Sequence, residues 1–215
     1  MSDFYFIRHG QAGTRLDYDT LSELGRQQSL LLGAYLARQA VTFSHVIVGG
    51  LERHKQTAAS VLSAYSVSGL AVPEAMNDPA WNEFDLDDVY QSIAPQLAKD
   101  DSDFAAQYTD MRKQVDEQGA AEQSAINRRW SPCDTSVIHA WVTAKYPVKC
   151  ESWAGFRDRI RGALAKLIAS NPEGNVAVFT SATPTAISLA QTMDLEDHKM
   201  FMLAGVMINS AFSVL

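Results

Sequence analysis

The chain has little of what marks secreted or membrane proteins. Its 215 residues include only two cysteines, Cys133 and Cys150, too few for a disulfide framework and typical of a reducing compartment. No apolar run approaches the ~20 residues of a membrane-spanning helix. Asp3 and Arg8 interrupt the apolar N-terminal stretch, so it does not resemble a secretory leader. The sequence therefore predicts a cytoplasmic protein without a membrane partner.

A basic stripe is also missing. The net charge is −7, and residues 83–122 alone hold 11 acidic and 3 basic side chains. A protein that binds a nucleic-acid backbone needs clustered Lys and Arg, so the sequence predicts no nucleic-acid partner. We interpret the acidic segment as a solvated helical surface; the alternative is an acidic rim that repels polyanionic substrates.

Patterns that bind metals or nucleotide cofactors are not found. Neither cysteine has a partner at metal-ligand spacing, and both common Gly-rich phosphate loops are absent. The sequence therefore predicts no metal site and no cofactor.

What the chain does contain is an alternation of strands and helices. Apolar and β-branched runs predict strands at 3–8, 44–49, 175–180 and 206–214. Such alternation predicts an α/β fold with three α/β/α layers and a mostly parallel central sheet. Residues 86–150 break the pattern and are predicted to be a helical lid insertion within a single domain, 1–215.

Helix starts are marked by capping residues. Ser22 and Ser152 are predicted N-caps, and Thr183 is predicted to cap a helix whose first residue is Pro184. The helix after Ser22 is expected to bury one apolar stripe, which consists of Leu24, Leu31, Leu32, Tyr35 and Leu36. Aromatic residues in and beside the insertion are expected in its core more often than at a ligand: Trp81, Phe84, Tyr90, Trp130 and Trp141.

The first strand ends in Arg8-His9-Gly10, at the edge of the sheet where parallel α/β folds place their chemistry. An Arg fork suits phosphate oxygens, and Gly lets the backbone approach a ligand closely. The second strand leads to Arg53, and the strand at 175–180 leads to the helix start at Thr183. Together these groups predict a pocket for a dianionic phosphoryl group.

Motifs along nearly the whole chain resemble the histidine phosphatase superfamily, in its phosphoglycerate mutase-like branch. The matching segments are Phe6-Ile7-Arg8-His9-Gly10-Gln11, Leu21-Ser22-Glu23-Leu24-Gly25-Arg26-Gln27, Leu51-Glu52-Arg53, Gln56-Thr57-Ala58, Asn82-Glu83-Phe84-Asp85, Glu151-Ser152-Trp153 and Asn209-Ser210. The resemblance implies the phosphoglycerate mutase-like fold and a phosphoryl-transfer activity that needs neither metal nor cofactor.

The resemblance also implies a role for each site residue. His9 would be the nucleophile that carries the phosphoryl group, and Glu83 would be the general acid and then the base. Asp85, Asp87 and Asp88 are alternatives to Glu83, which matches the family pattern best. The phosphate-binding residues would be Arg8, Arg53, Gly10, Gln11, Ala182 and Thr183. Apart from the resemblance, the backbone N–H groups of Thr183 and Thr185 are predicted to bind a phosphate at the helix start.

One position departs from the family, in which a Ser-His-Gly turn supplies a second histidine. Here the turn reads Thr180-Ser181-Ala182-Thr183, so Ala182 stands in place of the imidazole. The alternatives are a natural branch with a small residue there, an engineered His→Ala substitution, or replacement by His54. Adjacent helical residues point about 100° apart, which disfavours a position of His54 beside Arg53 in one pocket.

The sequence thus favours a hydrolase that acts on a small phosphate monoester, with inorganic phosphate as the other expected ligand. Two alternatives remain. One is a phosphoglycerate mutase-like phosphotransferase, although family mutases carry basic lid segments that the acidic residues 83–122 lack. The other is a catalytically impaired, phosphoester-binding relative, which Ala182 makes credible.

Overall fold

The computed structural model describes residues 2–13, 18–117 and 132–215. Within them the chain forms one five-stranded sheet and eight α-helices. The strands are β1 (Phe4–Arg8), β2 (His45–Val48), β3 (Ala75–Asn77), β4 (Val176–Thr180) and β5 (Phe212–Val214). They lie in the order β3-β2-β4-β1-β5, and every pair is parallel except β1 with β5. The predicted α/β fold with a mostly parallel central sheet is confirmed.

The described residues divide into two compact units. The sheet unit comprises Met1–Glu83 and Arg157–Leu215, and the helical unit comprises Phe84–Phe156. In chain order the helices are α1 (Glu23–Arg38), α2 (Glu52–Val67), α3 (Leu86–Asp100), α4 (Ser102–Glu117), α5 (Pro132–Val142), α6 (Trp153–Ala169), α7 (Ala182–Met193) and α8 (Asp197–Val206). Helices α3, α4 and α5 belong to the helical unit, and α1, α2, α7 and α8 belong to the sheet unit.

Both faces of the sheet are buried. Successive residues of a strand point to opposite faces, and in β1 Phe6 and Ile7 are both fully inaccessible. Ile7 belongs to a core that includes Leu36 of α1 and Val61 of α2. On the other face, the ring of Phe6 lies 5.5 Å from that of Trp81, measured between centroids. A covered sheet of this kind allows continuous apolar strands such as β4.

Helix α1 buries a different face from the one that its large apolar residues predict. Ser22 caps it as predicted, and its Oγ accepts a hydrogen bond from the Gly25 N–H at 3.0 Å. Leu24, Leu31 and Tyr35 are nevertheless exposed, Leu31 by 70%. The buried face carries small residues beside two leucines, because α1 approaches its neighbours closely: Gly25, Ser29, Leu32, Gly33 and Leu36.

The C-terminal and edge strands differ from the sequence prediction. The strand predicted at 206–214 is wrong in its first half, because α8 continues to Val206 and Ser210 takes a left-handed backbone conformation with φ of 55°. Only Phe212–Val214 pairs with β1. Strand β3 was not predicted, because its three residues are exposed at the sheet edge and carry no apolar alternation.

The helical unit overlaps the predicted insertion at 86–150. Its described part, 84–117 and 132–156, contains helices and no strand. Trp141 and Tyr90 are buried, as expected of core aromatic residues, whereas Trp130 lies outside the described residues. Cys133 and Cys150 are both free thiols. A lid function of this unit stays a prediction.

Candidate active site

His9 lies just beyond the carboxyl end of β1, beside the end of β4. Arg8 pairs in register with Thr180, and the His9 N–H donates to the Thr180 carbonyl at 2.9 Å. The His9 carbonyl accepts from the Asn209 side chain and from the Ser210 N–H, each at 3.2 Å. Only 3% of His9 is exposed. Its backbone is therefore fixed on both sides at the edge of the sheet.

The ring of His9 is held in one tautomer. Its Nδ1 lies 2.7 Å from the Gly10 carbonyl oxygen, which can only accept, so Nδ1 carries the proton. Burial, with help from the charge of Arg53, lowers the pKa of His9 to about 3. At neutral pH the ring is uncharged, and the lone pair of Nε2 is available to an electrophile.

Two guanidinium groups carry unsatisfied donors. Arg53 lies in the first turn of α2 and is 6% exposed. Its Nη1 donates a hydrogen bond to Asp19 at 2.9 Å, and its guanidinium lies 5.1 Å from the ring centroid of Tyr18. Arg8 donates from Nη1 to the Met207 carbonyl. The Nε of each arginine is buried and has no hydrogen-bond partner within the described chain. Because unpaired buried donors are unfavourable, these N–H groups are available to an anion.

Glu83 lies at the first turn of α7. Its Oε2 accepts a hydrogen bond from the Thr183 N–H at 3.2 Å, where the positive end of the helix dipole stabilises a carboxylate. Glu83 also lies near Arg8. Burial lowers the pKa of the Arg8 guanidinium, and the charges of Tyr18 and Glu83 act in the opposite direction. Arg159 fixes the backbone before Glu83 by donating to the Asn82 carbonyl at 3.2 Å.

Gly10 and Gln11 make contacts inside the protein. The Gly10 N–H donates to Thr57 Oγ1 at 3.0 Å, and a Cβ on Gly10 would lie 2.3 Å from the Gly25 carbonyl oxygen. The glycine is thus required by its close approach to α1. Gln11 Oε1 accepts from the Ser22 hydroxyl at 2.9 Å. These bonds fix the loop after β1, and phosphate binding by the two residues stays a prediction.

Helix α7 starts earlier than predicted. Ser181 is its N-cap and Ala182 its first residue, so the predicted cap at Thr183 is wrong and Pro184 occupies the third position. Proline is tolerated there because a first-turn N–H has no partner within the helix. The Thr185 N–H donates to the Ser181 carbonyl at 3.3 Å, so it serves the helix instead of a phosphate.

His54 is the residue that sequence reasoning placed wrongly. It was expected to diverge from Arg53, yet it is fully buried, and its ring centroid lies 5.8 Å from that of His9. The ring fits because Gly49 has no side chain, and a Cβ there would lie 2.3 Å from His54 Nδ1. The signal for this arrangement was the Gly49-Gly50 pair after β2, which leaves space beside the start of α2.

The two buried histidines predict an acid-sensitive fold. Burial lowers the pKa of His9 to about 3 and of His54 to about 2, against about 6.5 in an unfolded chain. Below pH ~6.5 the unfolded state therefore binds more protons, and the free energy of unfolding falls as the pH decreases. Each histidine contributes up to ~1.4 kcal/mol per pH unit. Urea unfolding of His9→Asn between pH 4 and 6.5, without phosphate, should show a slope smaller by up to one proton, with the full difference at the acidic end of this range.

The matched control is Ser188→Ala, which removes a buried hydroxyl of α7 and no titratable group, and it should leave the wild-type slope. An unchanged slope in His9→Asn would contradict a neutral, buried His9.

Residues 2–13, 18–117 and 132–215 contain no group of three or more His, Cys, Asp or Glu side chains arranged to hold a metal ion. Their helices are too short or too polar to traverse a lipid bilayer.

Comparisons with known proteins agree with the fold. A family model described as the histidine phosphatase superfamily (branch 1) matches residues 4–142 and 128–214. A comparison with curated proteins found no match.

Similar solved structures include both phosphatases and mutases. YhfR of Bacillus stearothermophilus has a TM-score of 0.61 at 17% identity, covering 100% of this chain and 90% of its own. A mycobacterial glucosyl-3-phosphoglycerate phosphatase has a TM-score of 0.56 at 19% identity, with coverages of 99% and 89%. A Bacillus anthracis phosphoglycerate mutase has a TM-score of 0.58 at 18% identity, with coverages of 99% and 86%. At these identities the similarity establishes the fold and leaves the reaction open.

Proposed function

Because the chain belongs to the histidine phosphatase superfamily (branch 1), we propose that it hydrolyses small phosphate monoesters through a phosphohistidine on His9. The His9 Nε2 lone pair attacks phosphorus, and the bond from phosphorus to the ester oxygen breaks. Glu83 protonates the departing alkoxide. Water, deprotonated by Glu83, then attacks the phosphohistidine, the P–N bond breaks, and inorganic phosphate leaves.

The observation that supports the proposal is a buried, uncharged imidazole with a free Nε2 near Arg53 and Arg8, whose buried Nε–H donors lack partners among the described residues. The charges of Arg8 and Arg53 suit the three phosphoryl oxygens, on which charge accumulates during transfer.

Hydrolysis is favoured over mutase activity by charge. A mutase must retain a phosphoglycerate long enough for the phosphohistidine to return its phosphoryl group. Family mutases, as the resemblance implies, carry basic lid segments for this purpose, and the acidic residues 83–122 lack them. Ala182 favours a second candidate, a phosphoester-binding protein without turnover, because no second histidine assists the transfer.

We also propose the cytoplasm as the location of this reaction. The two free thiols, Cys133 and Cys150, support this proposal because reducing compartments keep cysteines unpaired.

The test is brief mixing of the protein with a panel of ³²P-labelled phosphate monoesters, followed by acid and alkaline treatment. We expect label on the protein that is acid-labile and alkali-stable, as in a phosphohistidine, together with release of inorganic phosphate. Transfer of label to an added phosphoglycerate without release would identify a mutase. Saturable binding of phosphate without any labelled protein or release would identify a binding protein and overturn the proposal.

A further inference from the structure

The site holds a buried imidazole that the proposed reaction does not use. His54, in the first turn of α2, is fully buried, and its ring centroid lies 5.8 Å from that of His9. The resemblance to the family implies a second histidine at position 182, where α7 begins with Ala182, whose methyl group cannot donate a hydrogen bond. The imidazole beside His9 therefore comes from α2 instead of from the start of α7.

The contacts of the His54 ring show what it can do. Its Nε2 lies 2.7 Å from the Ser181 hydroxyl. Its Nδ1 faces Gly49, without a hydrogen-bond partner in the described residues. A proton on Nδ1 would point at the Gly49 backbone carbon, whereas an unprotonated Nδ1 tolerates a C–H neighbour. The proton therefore belongs on Nε2, from which it is donated to Ser181.

Accepting that bond leaves the Ser181 hydroxyl with a proton to donate elsewhere. Serine at a helix N-cap ordinarily accepts from the N–H groups of the first turn, but the Ser181 side chain makes no such bond to α7. It is instead turned toward His54. Its own environment is closed, because only 1% of the residue is exposed.

Ser181 is also adjacent to the nucleophile. It follows β4 directly, and Thr180 pairs with Arg8, so the next residues along the two parallel strands are Ser181 and His9. The His54 ring, which contacts the Ser181 hydroxyl, neighbours the His9 ring. A phosphoryl group on His9 is therefore expected to lie beside this hydroxyl.

We infer that the Ser181 hydroxyl, oriented by His54, donates the hydrogen bond to the transferred phosphoryl group that the second histidine supplies in other members of the family. Ser181 is then a catalytic residue and His54 its positioning residue. The inference rests on the proposed phosphatase function. The low pKa of His54, about 2 through burial and the neighbouring His9 and Arg53, keeps the ring neutral and its single Nε2 proton committed to Ser181.

The experiment compares His54→Gln, His54→Leu and Ser181→Ala. A glutamine amide nitrogen is as many bonds from Cβ as Nε2 and retains the donor, whereas leucine fills similar space without one. We expect His54→Leu and Ser181→Ala each to lower kcat on p-nitrophenyl phosphate by ~10²-fold, the usual effect of one lost donor, and His54→Gln to stay within about 3-fold of wild type. The double variant His54→Leu/Ser181→Ala should be no slower than either single variant, because the two residues act as one unit.

Inhibition by vanadate, a mimic of the phosphoryl transition state, gives a readout that altered packing would not reproduce. Both damaging variants should lose vanadate affinity by a larger factor than phosphate affinity. Ser188→Ala is the matched control, since it removes another buried hydroxyl of α7, one that donates to the Pro184 carbonyl, and should retain wild-type kcat. Near-ultraviolet circular dichroism establishes that each variant is folded.

The outcomes separate the two proposals. A wild-type protein without label or turnover overturns the phosphatase function itself. If the wild type is active, three results would overturn the inference alone. These are a full rate for Ser181→Ala, a rate for His54→Gln as low as that of His54→Leu, or additive losses in the double variant. If His54→Leu does not fold, the comparison of Ser181→Ala with Ser188→Ala decides.

Discussion

The His9→Asn variant is expected to lose at least about 10⁴-fold in kcat on p-nitrophenyl phosphate and to carry no acid-labile phosphate. The substitution is selective because an asparagine amide nitrogen can replace Nδ1 and keep the hydrogen bond to the Gly10 carbonyl. It removes only the atom that would attack phosphorus. The measurement is the steady-state rate together with ³²P incorporation.

The same variant should still bind inorganic phosphate, because Arg8 and Arg53 and their unpaired Nε donors are unchanged. Phosphate binding measured by calorimetry is therefore its folding control, and Ser188→Ala should keep both rate and label. If His9→Asn turned over at more than about a hundredth of the wild-type rate, the nucleophile would have to be another residue. Loss of a nucleophile is expected to cost far more than this.

The Glu83→Gln variant is expected to discriminate between leaving groups. An alkoxide is a strong base and needs a proton as it departs, whereas p-nitrophenolate is stable without one. Phosphorylation of the enzyme by glycerol phosphate should therefore slow by ~10³-fold, and phosphorylation by p-nitrophenyl phosphate by less than ~10-fold. Glutamine retains an oxygen that can accept from the Thr183 N–H, so the start of α7 is preserved.

Rapid mixing distinguishes the two steps of this reaction. Because Glu83 also activates water, the variant should release one equivalent of p-nitrophenolate quickly and then turn over slowly. Asp85→Asn and Asp88→Asn serve as controls: Asp85 accepts from the Asp88 N–H at the start of α3, in the helical unit, and neither change should alter the leaving-group preference. A selective loss on glycerol phosphate in either control would assign the general acid to that carboxylate instead.

The strands were predictable where burial on both faces makes them continuously apolar. Residues 4–8 and 176–180 were found on that basis, and with them His9 and the turn that contains Ser181. Strand β3 and the buried face of α1 could not be predicted from the sequence. Ala75–Asn77 is an exposed edge strand without apolar alternation. Helix α1 does have an apolar stripe, but it packs through small residues such as Gly25 and Ser29, so the stripe predicted the wrong buried face.

The tertiary structure was also needed to distinguish the candidate carboxylates from one another. Glu83 and Asp85 lie two residues apart and have similar chemistry, so sequence motifs could only favour one of them. In the structure Glu83 accepts from the first turn of α7, whereas Asp85 caps α3. The two carboxylates differ in the helix whose N-terminus each one contacts, and no local sequence pattern predicts this.

The sequence alone determined the superfamily, the parallel α/β sheet and the placement of His9 at a strand end, because these follow from local patterning and contiguous motifs. Only the tertiary structure decided the position of His54. Helical geometry directs the His54 side chain away from that of Arg53, yet both residues are buried. The reason is that α2 begins directly at the sheet edge and that Gly49 leaves room for an imidazole. That space is formed by residues from separate strands and helices, and it exists only once the chain has folded.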